Sequence, residues 1–243
     1  MKPEQIESAM AEDRLLLVLQ PVVDACSRRP AFYEALARIK EPDGSLTSAS
    51  AFVEDAEHAG IVERIDRRTL QMTIGLLKTK SVVLSLNISS LTTSDFAWAT
   101  DLAALTGGQN ELSRRLIVEI AETCAISDIN RTLAFVDALR ELGCRIAIDD
   151  YGAGHTGFTN LNLLAPDIVK IDRAIACQIE KPNARSFVEA IVELSHTFNF
   201  ESVAEGIESD AEARALADLG VTYLQGYYFG EPQSPQLALV PRD

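Results

Sequence analysis

Seven apolar stretches of this chain each carry a polar group that can do chemistry. Glu34 lies in AFYEALARI, Asn87 in VVLSLNIS, Glu119 and Glu122 in LIVEIAET, and Asp149 with Asp150 in IAIDDYG. Lys170 and Asp172 follow in DIVKIDR, Glu205 in SVAEGIE and Gln225 in YLQGYY. Any one of these acids is accounted for by a helix N-cap or a surface-facing strand position. Together they are not, because a barrel interior cannot hold five carboxylates without cations to offset repulsion and desolvation. Glu34, Glu119, Asp149, Asp150 and Glu205 against Lys170 leave the charge that two divalent ions balance. An all-oxygen donor set suits magnesium or manganese. Two such ions bridged by a carboxylate form an arrangement suited to phosphodiester hydrolysis, in which they activate water and stabilise the phosphoryl oxygens. A lyase or aldolase with one metal leaves Asp150 and Glu205 unexplained.

Positioning these groups requires a series of strands. Strand patterns cover Leu15–Val23, Phe32–Ile39, Val82–Ile88, Leu116–Ala121, Arg145–Tyr151, Ile168–Asp172, Ser202–Ile207 and Tyr223–Tyr228. Helical periodicity separates them after the second, as over Asn130–Leu142 and Ala184–Phe198. Eight strands in a βα series predict a closed α/β barrel, whose catalytic groups stand at the C-terminal strand ends. Residues 24–31 are too few for a parallel crossover, so the first two strands should be antiparallel. The expected fold is therefore a modified TIM (β/α)8 barrel with an antiparallel first strand. The tail EPQSPQLALVPRD leaves little room for a full last helix. EQIESAMAED reads as a short amphipathic helix with Ile6 and Met10 on one face, which either plugs a barrel end or continues a linker; residues 1–14 are set apart from a domain at 15–243.

Composition narrows the partners. Thirty-six acidic against 22 basic residues give a net charge of −14, which disfavours polymeric nucleic acid. No stretch is long and apolar enough for a signal core or a span, so a cytoplasmic protein without membrane contact is expected. Cys26, Cys124, Cys144 and Cys177 form no C-x-x-C pair, and His58, His155 and His196 have no zinc-site spacing. Gly152, Gly154 and Gly157 satisfy G-x-G-x-x-G after a strand, yet two aspartates precede them and Phe158–Leu164, closed by Pro166, is short for a dinucleotide crossover helix. These glycines are expected to shape a flexible loop.

Glu34-Ala35-Leu36, with Leu19-Gln20-Pro21-Val22 before it and Arg38 after it, resembles the signature of EAL domains, the bacterial cyclic di-GMP phosphodiesterases. The resemblance extends from about Leu17 to Pro232 through LNIS, VEIAET, IDDYGAGHTGF, VKIDR, AEGIES and LQGYYFGEP. It implies a metal-dependent phosphodiesterase that opens cyclic di-GMP to linear pGpG. It further implies two magnesium or manganese ions; calcium, which prefers longer bonds and looser coordination than a tight two-metal cleft allows, should inhibit. Glu34, Asn87, Glu119 and Asp149 would hold one ion, and Asp149, Asp150 and Glu205 the second. Lys170 would hydrogen-bond the attacking water, and Glu205 would also serve as general base. Gln20, Leu36, Arg38, Asp172 and Gln225 would meet the substrate, Arg38 through its fork of donors to phosphate. Glu122 would anchor the loop after Asp150.

The same resemblance implies a homodimer and is compatible with an upstream sensory or GGDEF domain in a longer protein. The other reading within the family is a non-catalytic cyclic di-GMP receptor or protein-interaction domain, which loss of a metal ligand or of the lysine would favour. All those positions are filled here. The chain departs from the usual family pattern at Phe52–Glu57, where F-I-P-x-A-E is common, and over residues 151–158, where the loop is recognisable but altered.

Overall fold

The structure is a computed structural model that describes residues 1–108, 110–122, 129–153 and 157–240. Its strands are β1 (Leu15–Asp24), β2 (Pro30–Lys40), β3 (Leu46–Ser48), β4 (Leu84–Ile88), β5 (Leu116–Ala121), β6 (Arg145–Tyr151), β7 (Ile168–Ile171), β8 (Glu201–Ala204) and β9 (Tyr223–Gln225). All but β3 form one closed sheet, in the order β1-β9-β8-β7-β6-β5-β4-β2 and back to β1. β1 is antiparallel to both neighbours, and the pairings from β2 through β9 around the barrel are parallel. The modified (β/α)8 barrel with an antiparallel first strand is thus the observed fold. β3 was not anticipated; it is a three-residue strand on the outer end of β2, too short to carry a periodic signal.

The helices are α1 (Pro3–Ala11), α2 (Val53–His58), α3 (Val62–Thr79), α4 (Phe96–Thr106), α5 (Asn110–Ser113), α6 (Ile129–Glu141), α7 (Gly157–Leu164), α8 (Arg173–Ala176), α9 (Pro182–Phe198), α10 (Asp210–Asp218) and α11 (Pro235–Ala238). The last has only four residues, in keeping with the short tail. α1 buries Ile6 and Ala9 among Leu15, Ile39, Phe52 and Ile65, so it flanks the β1–β2 hairpin end and α2 rather than plugging the barrel.

Side chains alternate across each strand, which explains how a barrel this apolar can present charge at one end. Val22, Phe32, Ile117, Ala147, Ile168 and Val203 form an apolar layer inside the barrel. Two residues further along the parallel strands stand Glu34, Glu119, Asp149, Lys170 and Glu205, and on antiparallel β1 Gln20 stands two residues before Val22. The apolar layer lies beneath the polar one in the barrel interior.

Among the described residues Cys26, Cys144 and Cys177 are free thiols. Cys124, and Gly154, His155 and Thr156 of the glycine loop, lie outside them. No helix among the described residues is long and apolar enough to cross a membrane.

Candidate metal centre

The C-terminal ends of the parallel strands bring the polar groups together. β4 pairs with β5 so that Asn87 is opposite Glu119, and β5 with β6 so that Ala121 is opposite Asp149. A regular strand would point Asp149 and Asp150 to opposite faces. Asp150 instead adopts φ +53°, a left-handed conformation uncommon for a residue with a Cβ, and the β6–β7 register shifts between Ile148 and Tyr151. Both aspartates thereby serve one site. Glu34, Glu119 and Asp149 offer carboxylate oxygens within 4.8 Å of one another, and so do Asp149, Asp150 and Glu205. Asp149 belongs to both groups.

Lys170 stands at the centre, 1% exposed. Its Nζ is 2.6 Å from Glu119 Oε2, 2.8 Å from Glu205 Oε1, 2.9 Å from Asp149 Oδ1 and 3.4 Å from Glu34 Oε2. Burial works to lower its pKa, but the four carboxylates prevail and hold the ammonium well above its ordinary range. One ammonium does not suffice for the acids. Burial pushes Glu119 up to about 8 even with Lys170 beside it, and pushes Asp150 up to about 6 with help from Asp149. Glu205 is likewise raised well above the usual carboxylate range, first by burial. Glu119 Oε1 is buried without a hydrogen-bond donor. Hard cations would supply the missing charge and the missing partner, so the donor set fits them.

Amides fix the glutamate of β2. Asn87 Nδ2 donates to Glu34 Oε1 at 2.6 Å, and Gln225 Nε2 donates to Glu34 Oε2 at 2.6 Å and to Gln20 Oε1 at 3.3 Å. Gln20 Nε2 in turn donates to the Gly230 carbonyl. After β5, Glu122 Oε2 accepts from the Gly152 N–H at 2.9 Å, tying the end of β6 to its neighbour. Gly152 has φ +99°, and a Cβ there would meet Ile175 and Phe187.

The cleft over these residues has a volume of about 190 Å3; Gln20, Glu34, Leu36, Glu205 and Gln225 line it. Two expected substrate residues stand apart from its lining. Arg38 Nη1 donates to the Ala37 carbonyl at 2.8 Å, and burial draws its pKa down. Asp172 caps α8 by accepting from Ala174 N–H at 2.7 Å. Sequence reading missed Tyr227, a cleft-lining ring that is 61% exposed, and Arg173, which pairs with Glu208 at the cleft edge. Their signal was position alone: two residues after Gln225, and one after Asp172. It also missed Asp66 of α3, whose buried Oδ2 accepts from Ser89 N–H at 2.9 Å and Thr92 Oγ1 at 2.6 Å, just beyond Asn87.

Residues 4–232 match the EAL domain family. The signaling protein YkoW of Bacillus subtilis (strain 168) is 30% identical over 241 residues, which are 95% of this chain and 30% of that protein. The cyclic di-GMP phosphodiesterase PdeB of Shewanella oneidensis is 30% identical over 242 residues, 94% of this chain and 28% of PdeB. The chain spans about a third of the length of such curated relatives. Among solved structures, the PaMucR phosphodiesterase in complex with c-di-GMP superposes with a TM-score of 0.88 at 28% identity, covering 97% of this chain and 98% of that one.

Proposed function

The chain belongs to the EAL domain family, and from that membership we propose that it hydrolyses cyclic di-GMP to linear pGpG. The observation that carries this reading is the shared carboxylate: two acidic triads meet at Asp149, and the buried Lys170 ammonium lies against both. Relatives named as cyclic di-GMP phosphodiesterases, and a neighbour described in complex with c-di-GMP, support the substrate.

Glu34, Asn87, Glu119 and Asp149 would hold one divalent cation, and Asp149, Asp150 and Glu205 the other. Bound there, magnesium or manganese supplies Lewis acidity and balances the phosphate charge. The protein supplies position and proton transfer. Gln20, Leu36 and Gln225 form the bed that sets one phosphodiester above Lys170. The Lys170 ammonium, fixed by four carboxylates, donates to the attacking water and aligns its lone pair with phosphorus. Glu205 takes the proton that water loses. The new bond joins the water oxygen to phosphorus, and the bond to the ribose 3′ oxygen breaks. That oxygen leaves as a hydroxyl after taking a proton from solvent water, and the phosphate remains on the 5′ side.

Incubating the protein with cyclic di-GMP and magnesium, then separating nucleotides by chromatography, tests the proposal. Accumulation of pGpG that stops on chelation is expected. Saturable binding with no cleavage, in magnesium and in manganese alike, would leave a receptor and overturn the hydrolase reading.

A further inference from the structure

The catalytic cleft is not the largest cavity. Between the outer face of the β1–β2 hairpin and the segment 229–240 lies a cavity of about 610 Å3, whose lining shares no residue with the cleft. Its volume is in the range typical of small-molecule sites. Leu19, Pro21 and Val23 face it because they alternate with inward Gln20 and Val22. Phe229, Ala238 and Leu239 supply the opposite wall.

Two arginines from the hairpin turn, Arg28 half-buried and Arg29 exposed, stand at this chamber of mixed polar and apolar lining. Arg28 is held by its N–H to the Asp24 carbonyl at 2.9 Å and has φ +59°. Its guanidinium carbon lies 5.6 Å from the Phe229 ring centroid, within cation–π range. Its Nη1 is buried and has no hydrogen-bond partner. A buried donor left unpaired costs stability and is rare in native proteins. In a chain with 36 acidic and 22 basic residues, an arginine ordinarily finds a carboxylate. Among the described residues neither Arg28 nor Arg29 forms an ion pair, although Glu231 also borders the cavity.

We propose that this cavity is a second ligand site, taking a small organic anion with an aromatic body. The carboxylate or phosphate-type head meets Arg28 and Arg29, and the ring packs on Val23, Phe229 and Leu239. The site is independent of the hydrolase reading, because its residues lie outside the acidic cluster.

Titrating phenylphosphonate and benzoate into nitrogen-15-labelled, chelator-treated protein and following amide shifts tests the proposal and distinguishes the two head groups. Chelation keeps metal ions from drawing the probes to the carboxylates. Saturable shifts at Arg28, Arg29, Phe229 and Leu239 are expected with at least one of the two, without shifts at Glu34 or Gln225. Inorganic phosphate, which lacks the body, and benzyl alcohol, which lacks the charge, should each bind about tenfold or more weakly, as should Arg28→Gln. Arg29→Gln provides the same comparison if the Arg28 variant does not fold. Shifts that never saturate, that scatter over the surface, or that persist unchanged in the variants would overturn the site.

Discussion

Lys170 has two roles that mutation can separate. Its ammonium is the one cation that the described structure places among the carboxylates of Glu34, Glu119, Asp149 and Glu205, and under the proposed hydrolysis it would also donate to the attacking water. Donors that act on a transition state are worth about 100-fold or more in rate. Lys170→Met should therefore lower kcat by at least about 100-fold while KM moves by only a few-fold, measured with saturating magnesium. A defect wholly in KM would make Lys170 a binding residue. The acids were legible in the sequence because they are charged groups embedded in otherwise apolar strands. The convergence of four of them on one lysine was not, since it depends on register between strands far apart in the chain. Asp172, which the family resemblance assigns to substrate, has a role that the sequence did not signal: its carboxylate caps α8.

At the scale of elements, strand ends matter more than strand interiors. Asp66 on α3 receives the Ser89 N–H and the Thr92 hydroxyl, so one buried carboxyl fixes the backbone that follows Asn87. Burial, with lesser help from Glu57 and Glu63, pushes its pKa up to about 7. An acid with a raised folded pKa binds a proton in the fold that the unfolded chain has already released. Its effect on stability is therefore nil below the unfolded value near 4, and stability falls as pH rises from there to about 7. The total is at most about 4 kcal/mol. Denaturant unfolding should show wild type losing stability relative to Asp66→Asn across that window and not above it. A gap independent of pH would mean that Asp66 stays ionised in the fold.

The tie between β5 and β6 gives a second expectation. Glu122→Ala leaves the Gly152 N–H without its acceptor and should cut turnover by about tenfold, whereas Glu122→Gln keeps an acceptor oxygen and should stay within a few-fold of wild type. Equal, negligible effects of both would show that the tie is dispensable. The antiparallel β1–β2 pair was readable from the length of its link. β3 was not, nor was the left-handed turn at Asp150, because one residue's φ leaves no periodic trace.

On the scale of the whole molecule, the barrel works as two layers, an apolar floor and a charged mouth two residues above it. That stacking was implicit in the strand pattern. The flanking position of α1 was not, because an amphipathic face shows that a helix packs but not against what. The family resemblance also implies a homodimer coupled to the loop after Asp150. Specific activity across a dilution series should then fall as the dimer dissociates; a monomer equally active per chain would leave that loop without a coupling role.

The most direct test of a site built around one shared carboxylate is the number of manganese ions bound per chain, counted by equilibrium dialysis in parallel with cyclic di-GMP turnover. Two ions are expected for wild type, with turnover rising as the second site fills. Asp149→Ala should bind fewer than one ion and release no pGpG, because the residue common to both triads is gone. Two ions retained by Asp149→Ala, or full turnover by wild type after complete chelation, would contradict it.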